Sequence, residues 1–461
     1  MLYQYTNVAA KVFNLAPHKD FTIESENIFT TIVGQNGTGK SRLLKGIIEN
    51  SFMSEKNILD DHSFTNLNVE RSYDFSNRIA LSTSPFDKFP SSNIEKKYYK
   101  NYTYLGLKDL GNANLSKAYL SKVITSLILS LLDDSKRFGK LNDILNYLGY
   151  EGFMNLSFEI NKEWRDTIPL FNKFKLEKYT SPELAFKSIL EETPKQKLYK
   201  NFYDDNGEQR YEGAVGYAIK LLKKMKEESY PRVYVPNLLL ENSSFQIIEV
   251  SEITIKDIWF MLEFDILKLK DVFLKKITQD KHSIAFKINE ASSGEQSVIM
   301  SMLGIASKIE NGSLICIDEP EVCLHPAWQE KYIKFLMNTF KDYTGCHFII
   351  ATHSPQITSK LEDKNCYVMS MDDRKLVDAS TLNNKSIDFQ LAHVFKSPGF
   401  KNEYLTRELI SLITLIAEGK GKEELKSSKI EEILALKNMI DDDDPVKELI
   451  KMVESIKKEY S

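Results

Sequence analysis

Cysteine is scarce in this chain and never paired in a Cys-x-x-Cys step. Cys316, Cys323, Cys346 and Cys366 are the only four, without metal-ligand spacing, the pattern of reduced thiols in a cytoplasmic protein. Long apolar runs are lacking too. The most hydrophobic helical stretch, VITSLILSLL at Val123–Leu132, is about half the length that spans a bilayer. The N-terminal MLYQYTNVAAKVF has neither the basic head nor the long apolar core of a signal peptide, so no membrane partner is expected. Charge of one sign is absent as well: 61 Lys and Arg face 65 Asp and Glu, for a net charge of −4. The chain as a whole is therefore no counterion sponge for nucleic acid, and any such surface is a local patch or belongs to a partner. Internal repeats and low-complexity tracts do not occur.

What is present suffices for a large core, with 42% hydrophobic residues in 461 and length for two or three domains. Residues 1–33 carry short β-rich runs (KVFNLA, FTIES, FTTIV) that predict an antiparallel strand set feeding one buried strand. A helix, SRLLKGIIEN, follows, then polar loop over 51–76 and a strand, RIALSTSPF, stopped by Pro85 and Pro90. From 91 to 229 the texture changes to Lys, Tyr and Asn with long helical patterns, LSKAYLSKVITSLILSLLDD and AVGYAIKLLKKMKEE, which predicts a mainly helical insertion. The β texture returns with a hairpin, LKLKDVFLKKI and SIAFKI around the turn TQDKHS. Helix VIMSMLGIASKIE, strand LICI, helix AWQEKYIKFLMNTF and strands HFIIATH and CYVMSM come next. Such alternation predicts an α/β fold with a mixed, largely parallel sheet, flanking helices and additional antiparallel strands. Beyond 387 the chain turns helical again.

Three motifs carry chemistry. GQNGTGKS, Gly34–Ser41, satisfies Gly-x-x-x-x-Gly-Lys-Ser between a buried strand and a helix. Glycines turn backbone N–H groups toward phosphate oxygens, the helix N-terminus adds its positive end, Lys40 reaches the β/γ-phosphates and Ser41 ligates Mg²⁺. Gly34, Asn36, Gly37, Thr38, Gly39, Lys40, Ser41 and Arg42 are the candidate ATP-binding residues. LICIDEPE ends an apolar strand in paired acids, placing Asp318 for the Mg²⁺ shell and Glu319 for polarising the attacking water. His353, ending FIIATH, suits a γ-phosphate contact from the next strand end. ASSGEQ, with Ser292, Ser293, Gly294 and Glu295, opens an apolar helix as a second anion-binding N-terminus.

The order GQNGTGKS, ASSGEQ, ICIDEP, LHP and ATHSP resembles the ABC-type ATPases of the SMC and RecF kind. It is closer still to the AAA-like ATPases of the OLD group in bacterial phage-defence loci. The resemblance covers 1–90 and 230–400 in segments and implies an ABC-type ATPase head built from both. It further implies two heads sandwiching two ATP molecules, Ser292 and Gly294 meeting the γ-phosphate in trans, a switch role for His353, and His325 near the partner site. Departures are visible. Ala291 stands where Leu is common, and the strand that ends in Gln in those families reads ALSTSPFDKF here, leaving Ser82, Thr83 or Ser84 as substitutes. ATP binding with slow or lost hydrolysis is the expectation. The insertion lacks long heptads, so it is no SMC-length coiled coil. No Asp-x-Asp cluster on a β/α pattern follows residue 400, so no nuclease of its own is expected.

The texture STSPFDKFP, YVPN, SSGEQ and NEYLTRELI resembles the ATPase subunit, PtuA, of the Septu phage-defence system and its retron-linked relatives. That resemblance implies a homodimer or higher homo-oligomer, an HNH-type nuclease partner (PtuB-like), and DNA engaged through the complex. The competing function is an SMC/RecF-like DNA-repair ATPase that clamps DNA itself. The basic stretches Lys96–Lys100 and Lys220–Lys226 are expected to be solvated faces, and Asp441–Asp444 a solvated linker before Pro445. The amphipathic helices of 401–461 have two readings: closure onto their own core or docking of the partner.

Overall fold

In a computed structural model the described residues are 1–7, 9–19, 21–52, 68–91, 101–108, 115–133, 137–165, 167, 181–192, 196–204, 206–227, 237–241, 244–248, 253–277, 283–421 and 423–459. The basic stretch at 96–100, most of the 51–76 loop and the hairpin turn at 278–282 lie outside them. Two compact units divide the chain, Met1–Leu110 with Lys308–Ser461, and Gly111–Ser307.

The first unit is built on seven strands. β3 (Ile28–Val33), β5 (Arg78–Ser82), β6 (Tyr102–Leu105), β12 (Leu314–Asp318), β13 (His347–Ala351) and β14 (Cys366–Ser370) are parallel, and β15 (Leu376–Asp378) closes one edge antiparallel. Their order is β15-β14-β3-β13-β12-β5-β6. Every residue of β3, β5, β12 and β13 is buried, because both faces are covered. On one face Leu43, Leu44, Ile47 and Ile48 of α1 (Lys40–Asn50) pack with Cys316 and Ile349. On the other, Phe340 of α9 (Pro326–Phe340) stacks on Phe348, itself 4.6 Å from Phe29. Strand register sets Ser82, Asp318 and Ala351 level, with Ile32 beside Ala351, so the carboxyl ends of four strands share one rim.

A smaller antiparallel sheet, β2-β1-β4, joins β1 (Leu2–Thr6), β2 (Val12–Asn14) and β4 (Asn68–Arg71). FTIES is not a strand, contrary to its β-rich composition. The Ser25 N–H donates to the Thr22 carbonyl and the Ser25 hydroxyl accepts from the Thr22 N–H, which spends on a turn the groups a ladder needs. The tail helices α11 (Glu403–Ala417), α12 (Ser428–Ala435) and α13 (Pro445–Glu459) bury Leu405, Leu409, Ile433, Ile450 and Val453 in one cluster, closing their apolar faces on each other. The acidic run is only partly a solvated linker. Asp441–Asp443 are exposed, but Asp444 is 1% exposed and accepts from the Lys401 and Val446 N–H groups, capping α13.

The second unit has a five-stranded antiparallel sheet, β11-β10-β7-β8-β9. β10 (Leu267–Ile277) and β11 (Ser283–Lys287) form the expected hairpin, while β7 (Tyr150–Ile160) lies between β10 and β8 (Asn237–Glu241), with β9 (Ser244–Ile248) outermost. Helices α2 (Leu115–Asp133), α3 (Arg137–Tyr147), α4 (Pro182–Glu192), α5 (Gln196–Phe202), α6 (Ala214–Glu227), α7 (Ile255–Glu263) and α8 (Ser293–Ala306) complete it. The apolar VITSLILSLL run is core, with Val123, Ile124, Leu127 and Ile128 buried in α2. Sequence texture changes near 230, yet the contact boundary falls between Ser307 and Lys308, because β7 is the middle strand for β8 and β10. Among the described residues no helix is long and apolar enough to cross a membrane.

Candidate functional site

β3 delivers the chain to a loop that only glycine accommodates at two points. Gly37 and Gly39 have φ of 82° and 97°, left-handed values that cost an L side chain about 1–2 kcal/mol. Gly39 is also the N-cap of α1 and brings no side-chain acceptor, so the helix's first N–H groups face outward for an anion. Lys40, 4% exposed, donates to the carbonyls of Gly34 (3.0 Å) and Gln35 (3.3 Å) and lies 3.4 Å from His353 Nδ1. Burial lowers its pKa, while Glu319, Asp318, Glu321 and Asp372 oppose that shift. Thr38 ties its hydroxyl to the Gln35 carbonyl at 2.8 Å, whereas Asn36 and Arg42 are exposed.

At the end of β12, Asp318 Oδ1 accepts from the Ser41 hydroxyl at 3.2 Å. Burial pushes the Asp318 carboxyl up to about 7; Ser41 opposes the shift, and Glu319, Asp87 and Glu321 add repulsion. A hard hydroxyl–carboxylate pair under a phosphate loop fits Mg²⁺, which keeps waters and takes the rest of its shell from phosphate oxygens. Among the described residues no group of three or more His, Cys, Asp or Glu could hold a metal ion by itself. Glu319 adopts φ 50°, a left-handed strain for a non-glycine, with Oε1 3.5 Å from His353 Nε2. That hydrogen bond holds the Glu319 carboxyl below its ordinary range against the opposing effect of burial. A carboxylate and an imidazole at one strand rim can orient a water and stabilise developing charge.

Glu321 was part of the quoted LICIDEPE run but received no role from sequence. Its Oε1 accepts the His353 N–H at 2.5 Å, and its Oε2 is buried. It thus positions His353 beside Glu319. Where the resemblance asks for glutamine, Ser82 is buried and accepts from the Ser84 N–H, while the Thr83 hydroxyl donates to the Glu319 carbonyl at 3.3 Å. Of the three, Thr83 is the one whose side chain contacts Glu319, through its backbone carbonyl. Asp87, also unassigned from sequence, is buried and accepts from the Tyr104 hydroxyl at 2.6 Å and the Phe89 N–H at 3.0 Å, fixing the turn behind Thr83. The sequence signal for both acids was only their proximity to motif residues. His325 is exposed and accepts from the Ala327 N–H as the N-cap of α9.

In the second unit, Ser292 is the N-cap of α8 in a reciprocal capping box with Glu295. Glu295 is paired with Lys276 at 2.7 Å. Burial alone would raise the Glu295 carboxyl, and the bonds from Lys276 and Ser292 outweigh it and hold it low. Ser292 and Ser293 are exposed, and Gly294 is buried.

A glycine phosphate loop between β3 and α1, with Asp318, Glu319 and His353 on one parallel-sheet rim, is the layout of a nucleotide-binding ATPase domain. Comparison with known proteins agrees with that class. Residues 151–359 match the family model described as "AAA domain, putative AbiEii toxin, Type IV TA system", a span that holds the acidic strand and His353 and begins after the phosphate loop. Among curated relatives, the chain is similar to "Retron Vc95 probable ATPase" of Vibrio cholerae, 24% identical over 452 residues, which cover 88% of this chain and 82% of that protein. It is also similar to "Retron Ec83 probable ATPase" of Escherichia coli, 29% identical over 121 residues, 24% of this chain and 22% of that protein. Two solved structures superpose loosely. The Smc head domain of Pyrococcus furiosus, with an extended coiled coil and bound to the C-terminal domain of ScpA, has a TM-score of 0.29 at 13% identity, over 82% of this chain and 95% of that one. Stu0660 of Streptococcus thermophilus has a TM-score of 0.28 at 12% identity, over 80% and 74%.

Proposed function

We propose that the chain is the ATP-binding subunit of a cytoplasmic anti-phage complex, in which nucleotide-dependent pairing of copies regulates an associated HNH-type nuclease. The observation that carries the nucleotide half is the Ser41–Asp318 pair beneath the phosphate loop. The defence half rests on similarity to retron-associated ATPases along 88% of the chain. In this reading ATP and Mg²⁺ sit on Gly34–Arg42, Ser41 and Asp318, and Ser292, Ser293 and Gly294 complete the site of a second copy. The head draws on 1–90 and 230–400, 91–229 is the insertion, and the helical region 401–461 meets the nuclease with its outer faces, where Ile410 and Met452 are exposed. DNA is engaged through the complex. Thr83 in place of glutamine makes turnover slow.

The test measures particle mass of the full chain with and without ATP. ATP should drive pairing of the parent protein, and Ser292→Arg should abolish that pairing while leaving ATP affinity within about twofold. Undiminished pairing of Ser292→Arg would sink the trans assignment. Brisk DNA-stimulated turnover lost in Glu319→Gln would favour the DNA-clamping alternative.

A further inference from the structure

The second unit contains a pocket of about 320 Å³ that the nucleotide chemistry does not use. It lies between the start of α6 and the C-terminal half of α7, and its walls are rings. Phe260 and Phe264 stack at 4.3 Å, Tyr211 meets Phe264 edge-on at 5.8 Å, and Tyr217 lies 4.6 Å from Phe260. Trp259 supplies a fifth ring. Tyr217 is pinned, since its hydroxyl donates at 2.6 Å to Asp257, which is itself held in the capping box of α7 by Thr254. The pocket is therefore preformed.

Its charge is one-sided. The ionised residues lining it are Glu212 and Glu263, both exposed, and among the described residues neither is in an ion pair and no Lys or Arg lines the pocket. Phe264 is covered by Phe260 at 4.3 Å and by Phe202 at 4.7 Å, so the rings that can offer a cation the negative end of their quadrupole near the two carboxylates are Tyr211 and Trp259. A guanidinium answers this site better than an ammonium: it is flat enough to stack on a ring and carries five donors for two carboxylates. The volume is at the small end of ligand sites and suits one side chain.

We propose that this pocket receives an arginine side chain of a partner polypeptide. The proposal stands apart from the nucleotide site and does not depend on it. The test titrates the full chain with a fluorescein-labelled Gly-Ser-Arg-Ser-Gly peptide and with otherwise identical lysine and citrulline peptides, reading anisotropy. Saturable binding is expected for the arginine peptide, several-fold weaker binding for lysine, and none for citrulline. The surface double variant Glu212→Gln/Glu263→Gln should weaken the arginine peptide on the order of tenfold, and Trp259→Leu should remove binding. Circular dichroism and melting temperature of the double variant and of Trp259→Leu should match the parent, which reports that the fold is intact. Equal binding of citrulline, no binding of any peptide, an unaffected double variant, or competition by adenosine or spermidine in place of arginine would overturn the proposal.

Discussion

Two helices of this chain carry glycine at or beside their N-termini, and they use their first N–H groups in opposite ways. α1 starts from Gly39, which has no side chain to offer, and Lys40 adds a positive charge beside the open turn. α8 starts from Ser292, whose hydroxyl and Glu295 satisfy the turn internally and place a carboxylate there, neutralised by Lys276. An anion finds a ready site at the first and a capped, acid-bearing turn at the second. Within one copy, then, only the first turn leaves its donors unspent, and the second would have to open its cap to meet the phosphate of a paired copy.

Removing the charge from the first turn should have the largest effect. Lys40→Ala should weaken ATP binding on the order of 100-fold, read by displacement of a fluorescent nucleotide, while Lys276→Ala should leave that affinity unchanged. Equal losses would erase the contrast between the two turns.

The pH dependence is next in size. Burial pushes the Asp318 carboxyl up to about 7, and it would take Mg²⁺ only when ionised, so Mg²⁺–ATP affinity should fall about tenfold per pH unit below that point. The sign for stability is opposite. Because the folded value lies above the ordinary 3.8, the folded protein holds this proton more tightly, so stabilisation present at low pH is lost as pH rises from about 4 to 7. Nucleotide-free Asp318→Asn should accordingly melt above the parent at pH 8, with the gap closing toward pH 5. A gap that widens toward pH 5 would show that burial does not set this carboxyl.

Glu321→Ala should slow ATP turnover about tenfold, in line with a misplaced hydrogen-bonding catalyst, with Glu321→Gln restoring most of it because the amide oxygen still accepts the His353 N–H. Failure of the glutamine variant to rescue would mean that the charge matters and not the contact. The smallest effect concerns the second turn. Ser292→Ala should lower stability by about 1 kcal/mol through the lost cap, read by denaturant midpoint, and Lys276→Ala by about 0.5 kcal/mol, since that ion pair is half-exposed.

Local patterns showed much of the first unit before its structure was known. LICI is an unbroken apolar run and TTIV, RIALS and HFIIA are short β-branched or apolar runs with polar residues at an end, and each is a buried parallel strand that ends at the rim. Composition failed where hydrogen bonding decides, as at FTIES, whose backbone groups are taken by the Ser25 turn. The burial of Asp444 was invisible because one of its donors, the Lys401 N–H, is 43 residues away, although its cap contact with the Val446 N–H is local. Glu321 and Asp87 were hidden for the same reason: one is defined by the His353 backbone and the other by Tyr104, neither adjacent in the chain. Pairing between distant strands was also beyond local reading, so the central place of β7 could not be assigned.

That placement has a consequence for protein engineering. Excising 91–229 as though it were a removable cassette would take β7 away and leave β8 and β10 with facing, unpaired edges, an invitation to aggregate. Cuts meant to separate the units belong at Leu110/Gly111 and Ser307/Lys308, where the excised piece would keep its whole five-stranded sheet.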